Sequence, residues 1–284
     1  MPDFFRRFRA DRRPRNPRRN GADMILLGVA FAYAGVLLIG PLAALIWSSL
    51  KDGPAIFLRE ISSPDALHAL KLTLQLSAGA TAINTVFGLV MAWVFVRDRF
   101  KGKAWFNGLV DLPFAVSPVI AGLMLILLFG RGGWLSGLAA ALNIRVVFAV
   151  PGMLLATVFV TLPFVVREVM PVLEQFGIQQ ESAAYTIGAT PWQTFRLVTL
   201  PAIRWGVLYG ISLTLGRALG EFGALVIVSG ALSGSTETST LFIFRSLDDR
   251  NYTAAYSMAL VLAVVSFSVL ILMEFFRKRA GIKR

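Results

Sequence analysis

The chain contains no cysteine and a single histidine, His68, so it can build neither a disulfide framework, nor a thiolate metal site, nor a histidine cluster. Charge is scarce as well: Asp, Glu, Lys and Arg make up 15% of the 284 residues, against roughly 25% in soluble domains. Catalytic signatures are missing too. No GxxxxGK[ST] phosphate loop occurs, so the chain does not bind and hydrolyse ATP in that way, and neither HExxH nor GxSxG is present. These gaps argue against an enzyme. What fills the chain is apolar: 56% of residues are hydrophobic and the mean hydropathy is +0.68, the composition of an integral membrane protein.

Apolar runs at about 24–47, 71–96, 104–129, 148–172, 205–229 and 254–276 are each long enough to cross a bilayer. They predict an all-α membrane protein with six transmembrane helices. Residues 1–23 hold eight arginines and three prolines without apolar periodicity, which predicts a disordered basic arm, and residues 277–284 form a basic tail. The formal charge of +12 does not point to nucleic acid, because the cations fall at the ends of the apolar runs and not on one soluble domain. On one side, the arm, the loop at 97–103, the segment 167–204 and the tail carry twenty Lys and Arg; the opposite side carries six. By the positive-inside rule both termini are cytosolic, in a multi-pass membrane protein with lipid around it.

The outer connections contain turn formers, Gly130-Arg131-Gly132-Gly133 and Ser233-Gly234-Ser235-Thr236. Residues 54–63 predict a short interfacial helix with Phe57, Leu58 and Ile61 on one side, ended by Pro64. His68, just beyond, has nothing near it in sequence to complete a ligand set. Pro113, Pro118, Pro151, Pro163 and Pro171 crowd the third and fourth runs, and the carbonyls they free need protein or water partners, which favours a bundle around a cavity. Pro113-Phe114-Ala115-Val116 is echoed fifty residues on by Pro163-Phe164-Val165-Val166, too short a match to establish a repeat.

Two charges lie inside the fifth run. An isolated charge at the bilayer centre costs about 2.5–3.5 kcal/mol on the insertion scale, so Arg217 and Glu221 should face the interior with partners. Their spacing of four puts them on one helix face, among Gly216, Gly220 and Gly223. Two readings stand: the face lines or gates a route for an anion, with Ser117 and Ser229 as further candidates along it, or the pair only fixes helix rotation. Asp111 and Arg167-Glu168 lie nearer the cytosolic ends, where structural or interface roles are expected.

A polar, helix-forming segment at 174–204 lies between the fourth and fifth runs, on the cytosolic side. Thr190-Pro191-Trp192-Gln193 is a helix start: Thr190 can cap, Pro191 takes the first helical position and Gln193 can complete a capping box. Gly188 breaks the pattern before it, so two short helices joined at a glycine are predicted.

This segment resembles the EAA loop of permease subunits of ATP-binding-cassette importers, whose frame is Glu-Ala-Ala, three residues, Gly, nine residues, an aliphatic residue, one residue, Leu-Pro. Here Ser182-Ala183-Ala184, Gly188, Val198, Leu200 and Pro201 occupy that frame, with Ser182 at the acidic position and Glu181 beside it. The stretches DLPFAVSPVIAGL at 111–123, PGMLLATVFVTLPFVVREVMPVL at 151–173 and RALGEFGALVIVSG at 217–230 are similar to the sulfate/thiosulfate importer permeases of W type. The resemblance implies the type I importer permease fold, with 24–276 as the permease domain. It further implies a heterodimer with a homologous T-type permease, two copies of a cytosolic ATPase that consume ATP and magnesium, and an external sulfate-binding protein. This chain would bind no cofactor or metal and catalyse nothing. Glu181, Ser182, Ala183, Ala184, Gly188, Leu200 and Pro201 would couple it to the ATPase. Molybdate or tungstate is the alternative cargo, since related permeases share the frame; an ion-driven secondary anion transporter would need midplane ion ligands and inverted repeats that the chain does not display.

Overall fold

The computed structural model describes the backbone of residues 21–279. The predicted basic arm lies outside these residues apart from its last three, and the predicted tail apart from 277–279. The chain divides into two compact units, one ending at Trp47 and the other starting at Ser48. Helix α1 (Gly21–Leu50) supplies the first unit; its stretch from Met24 to Leu50 has a mean hydropathy of 2.3, enough to span a bilayer by length and composition.

The second unit begins with α2 (Pro54–Ile61), the short helix predicted from its apolar side, and continues into α3 (Pro64–Arg97). Ser63 caps α3 by accepting a hydrogen bond from the Ala66 amide, and Pro64 takes the first helical position. Three short helices follow: α4 (Lys103–Val110), α5 (Leu112–Ala115) and α6 (Pro118–Phe129), then α7 (Ser136–Ala141) in the connection to α8. Next come α8 (Val150–Phe176), α9 (Gln179–Thr186), α10 (Pro191–Thr194), a π turn at Phe195–Thr199, and α11 (Leu200–Leu219). The unit closes with α12 (Gly223–Val228), α13 (Ser239–Asp248) and α14 (Tyr252–Arg279).

Among the described residues, five helical runs are long and apolar enough to cross a membrane: α1, α3, α8, the continuous run Pro191–Leu219, and α14. The third predicted span is not one helix. Asp111 separates α4 from α5, and Ser117 separates α5 from α6 with an extended backbone, ψ 138°, as the residue before a proline prefers. The fifth predicted span, 205–229, is also interrupted, at Gly220-Glu221-Phe222 between α11 and α12.

Helices α3, α8 and α11 form the centre of the unit, around Ala92, Val165, Val169, Leu173, Ile203 and Val207. Their backbones approach closely because glycines face the contact: a β-carbon on Gly88 would sit 2.7 Å from Val165 Cβ, and one on Gly210 2.9 Å from Val165 Cα. A second cluster, with Leu76, Met153, Ala156, Leu225 and Val228, joins α3 and α8 to α12. Helix α6 lies against α12, where a β-carbon on Gly122 would meet the Ala224 carbonyl oxygen at 2.6 Å. At the opposite end from the α9–α10 loop, buried Glu237 takes a two-point contact from Arg245, 2.6 and 2.9 Å, and that hydrogen bond raises the guanidinium pKa above its usual value. His68 donates from Nε2 to the Ser235 carbonyl at 3.2 Å, which ties α3 to the loop before α13.

Candidate functional site

The predicted helix pair at 179–194 is present. Thr190 Oγ1 accepts from the Gln193 amide at 3.3 Å while Gln193 Oε1 accepts from the Thr190 amide at 2.8 Å, a complete capping box. Gly188 joins the helices at φ +89°, a left-handed conformation that side chains with a β-carbon resist, although the space around it is open. Its requirement is thus conformational and not steric. After α10 the backbone widens into the π turn, where the Leu200 amide bonds the Phe195 carbonyl five residues back. Pro201, which has no N–H to donate, sits in the first turn of α11 directly after it.

Along α9 each residue is turned by about 100° from the one before it, so neighbours can face different surroundings. Glu181 is buried, and Ser182 is exposed. Glu181 Oε1 accepts from Arg97 Nη2 at 3.0 Å and from Thr199 Oγ1 at 2.8 Å, and its Oε2 lies 2.9 Å from Arg97 Nε. Arg97 also donates to the Gly177 carbonyl at 2.7 Å and lies over the Trp93 ring. One carboxylate therefore binds α9 to the end of α3 and to the π turn. Glu181 does not take up the exposed position that Ser182 occupies in the frame. Ala183 is exposed, whereas Ala184 is buried in the chain's own interior. The outward surface of the loop carries Ile178, Tyr185 and Ile187, with Ile187 86% exposed. Their signal in the sequence is apolar residues inside an otherwise polar loop.

The second arrangement lies at the two broken spans. A cleft of about 440 Å³ opens between α5, the start of α6, α8 and α11, and Ser117 and Arg217 both line it. Phe114 and Phe164, the two echoed phenylalanines, meet edge to face at 5.4 Å on its wall. Arg217 Nη1 is 2.6 Å from Glu221 Oε2. Glu221 is buried and its other oxygen accepts from the Ala224 amide at 2.9 Å, so it also caps α12; its own carbonyl accepts from Thr240 Oγ1 at 2.8 Å. Arg217 keeps 35% of its side chain exposed. The pair presents its positive end to the cleft and its negative end to the interior.

Ser229 is not in that group. It is fully buried at the end of α12, where its hydroxyl accepts from the Ala231 amide and its carbonyl accepts from Thr236 Oγ1. Asp111 and Arg167 form a two-point ion pair, 2.7 and 2.6 Å, and Arg167 also donates to the Asn107 carbonyl at 3.0 Å, which pins the α4–α5 corner onto α8. No group of three or more potential metal ligands occurs among the described residues.

The family model described as "Binding-protein-dependent transport system inner membrane component" matches residues 84–282. The protein named sulfate transport system permease protein CysW of Synechocystis sp. is 44% identical over 257 residues, 90% of this chain and 93% of the relative. The one named sulfate transport system permease protein CysT of Escherichia coli K12 is 37% identical, over 90% of this chain and 92% of its own length. In a crystal structure of a bacterial alginate ABC transporter in complex with an alginate pentasaccharide-bound periplasmic protein, one chain superposes with a TM-score of 0.78 at 18% identity, covering 92% of this chain and 96% of that one, which shows a shared fold. With its jointed loop, its apolar helical runs and these relatives, the chain belongs to the inner-membrane permease components of binding-protein-dependent transport systems, alongside the sulfate permeases.

Proposed function

We propose that this chain is the W-type membrane permease of an ATP-binding-cassette importer that brings sulfate, and with it thiosulfate, into the cytoplasm. The observation that carries the reading is the near-full-length similarity to a protein named as a sulfate permease, at 44% identity. The chain has no phosphate loop of its own, so ATP and magnesium are consumed by a separate pair of cytosolic ATPase subunits, and this subunit binds no cofactor. A homologous T-type permease completes the membrane pair, as the similarity to CysT favours, and an external binding protein delivers the anion. The distribution of Lys and Arg supports cytosolic termini and a cytosolic α9–α10 loop in the inner membrane.

Within that assembly the exposed face of α9, with Ser182, Ala183, Tyr185 and Ile187 around the Gly188 joint, docks on the ATPase. Glu181 acts from inside: through Arg97 and Thr199 it makes α9, the end of α3 and the start of α11 respond as one body, a rigid-body mode of transmission. Leu200 and Pro201 lie where that motion enters α11. The cleft with Ser117 and Arg217 is the stretch of the route that favours an anion, since the one charged side chain lining it is the Arg217 guanidinium, with the Ser117 hydroxyl also on its wall.

The test is uptake of radiolabelled sulfate into vesicles containing this chain with the permease, ATPase and binding protein encoded beside it. Uptake that requires ATP and is competed by sulfate and thiosulfate, with molybdate ineffective, is the expected result. Competition by molybdate or tungstate alone would reassign the cargo. Uptake by this chain without the ATPase, driven by a proton or sodium gradient, would replace the mechanism by a secondary one.

A further inference from the structure

On the loop side of the second unit, the last turns of α3 and the start of α10 enclose a groove of about 330 Å³. Leu89, Val90 and Trp93 form one wall, and Trp192 and Phe195 the other. The rings are ordered against each other: Trp93 meets Phe195 edge to face at 5.5 Å, and Trp192 stacks on Phe195 at 5.8 Å. The rim stays open, with Val90 57% and Trp192 67% exposed. Directly after Phe195, and one turn on from Trp192, Arg196 is exposed and has no carboxylate partner among the described residues. The neighbouring Arg97 is different, because Glu181 already neutralises it.

We propose that this groove is a binding site for an anionic phospholipid, with an acyl chain lying between Trp93 and Trp192 and the phosphate paired with Arg196. Tryptophans at the boundary of a membrane span place an apolar body beside a wet, polar zone, and basic pockets between helices on the cytoplasmic side recognise anionic headgroups. The groove and the cation match the two halves of one molecule. A purely apolar occupant, such as a helix from another subunit, would leave Arg196 without a counter-charge, and free phosphate would leave the hydrocarbon walls uncovered. The site rests on the reading that the α9–α10 loop lies at the membrane surface. It would anchor the end of α3, and thereby the Arg97–Glu181 tether, to the lipid.

The experiment equilibrates the full chain, purified in detergent, with an equimolar mixture of dioleoylphosphatidylglycerol and dioleoylphosphatidylcholine and counts retained lipids by native mass spectrometry. The expected preference for the glycerol lipid is about fivefold, the factor one arginine supplies at an anionic surface. Arg196→Gln should bring it near unity. Leu89→Trp, which fills the groove, should reduce retention of both lipids, with gel-filtration elution unchanged as the check on folding. Arg131→Gln, in the turn after α6, should leave the preference intact. Equal retention of the two lipids by the unaltered chain, a preference that survives Arg196→Gln, or its loss in Arg131→Gln would overturn the site. So would displacement of the lipid when the complete transporter is assembled, which would give the groove to a protein partner. A cysteine placed at Ile187 and labelled from either side of the membrane tests the loop orientation separately, because lipid preference in detergent does not depend on it.

Discussion

A buried glutamate paired with an arginine occurs three times among the described residues, at Glu181, Glu221 and Glu237, and the first two copies differ in how open the arginine is. At the loop, Arg97 keeps 12% of its side chain exposed and spends its donors on Glu181 and the Gly177 carbonyl. At the cleft, Arg217 keeps 35% exposed beside Glu221, which is wholly enclosed. The first pair is closed and ties α9, the end of α3 and the π turn to one another; in the proposed transporter this lock would make them move together. The second fixes the break between α11 and α12 and still leaves a cation facing the cleft. Arg217 is the one of the three arginines that lines the cleft, and on that ground its proposed role is to meet an anion, whereas the other two pairs hold elements together.

The largest effect is expected at the cleft. Breaking a buried pair by removing one partner costs about 3–5 kcal/mol, because the remaining charge is stranded. Arg217→Ala should therefore lower both the amount of assembled protein and sulfate uptake, and by itself it cannot tell the two roles apart. The double variant Arg217→Gln, Glu221→Gln removes the stranded charge. It should recover much of the assembly, measured by detergent-resistant copurification with the partner permease, while uptake stays low. Recovery of both would reduce the pair to a rotation lock.

At the loop, Arg97→Ala strands Glu181 in the same way, but near an aqueous surface where water can reach it, so the loss of thermal stability should be smaller than for Arg217→Ala. Its signature is functional: ATP hydrolysis by the assembled transporter should persist while its stimulation by the loaded binding protein falls. Unchanged stimulation would remove the lock from the coupling route. Smallest is the capping box. Thr190→Ala should cost about 1 kcal/mol of helix stability, seen as faster amide exchange across α10, with uptake reduced less than twofold. Exchange no faster than in the unaltered chain would mean that packing, not the cap, holds α10.

The capping box, the glycine joint and the short helix α2 were legible because each is encoded within a few residues. The Arg217–Glu221 pair was legible for the same reason, at a spacing of four. The lock was not, since Arg97 and Glu181 stand 84 residues apart and only the packing of α3 against α8 and α11 brings them together. The breaks in the third and fifth predicted spans escaped a hydropathy reading, which measures composition and is blind to backbone direction. Pro113 and Pro118 were visible, but which of five prolines would interrupt the helix depends on what α8 and α12 offer the freed groups. Gly88, Gly122 and Gly210 went unnoticed as contact points because a glycine in a span reads alike whether it faces lipid or a neighbouring backbone. Ser229, a candidate along the anion route, lies at a helix end where its hydroxyl and its carbonyl each accept a hydrogen bond.

The account turns on the loop as a jointed transmission element, and Gly188→Val tests it most directly. A β-branched residue at φ +89° is strained by about 1–3 kcal/mol, yet the space there is open, so the chain should still fold and assemble. The measurement is sulfate accumulated per ATP hydrolysed in vesicles carrying the complete transporter. A ratio that falls several-fold while hydrolysis continues is the predicted result; a normal ratio with normal uptake would contradict the account.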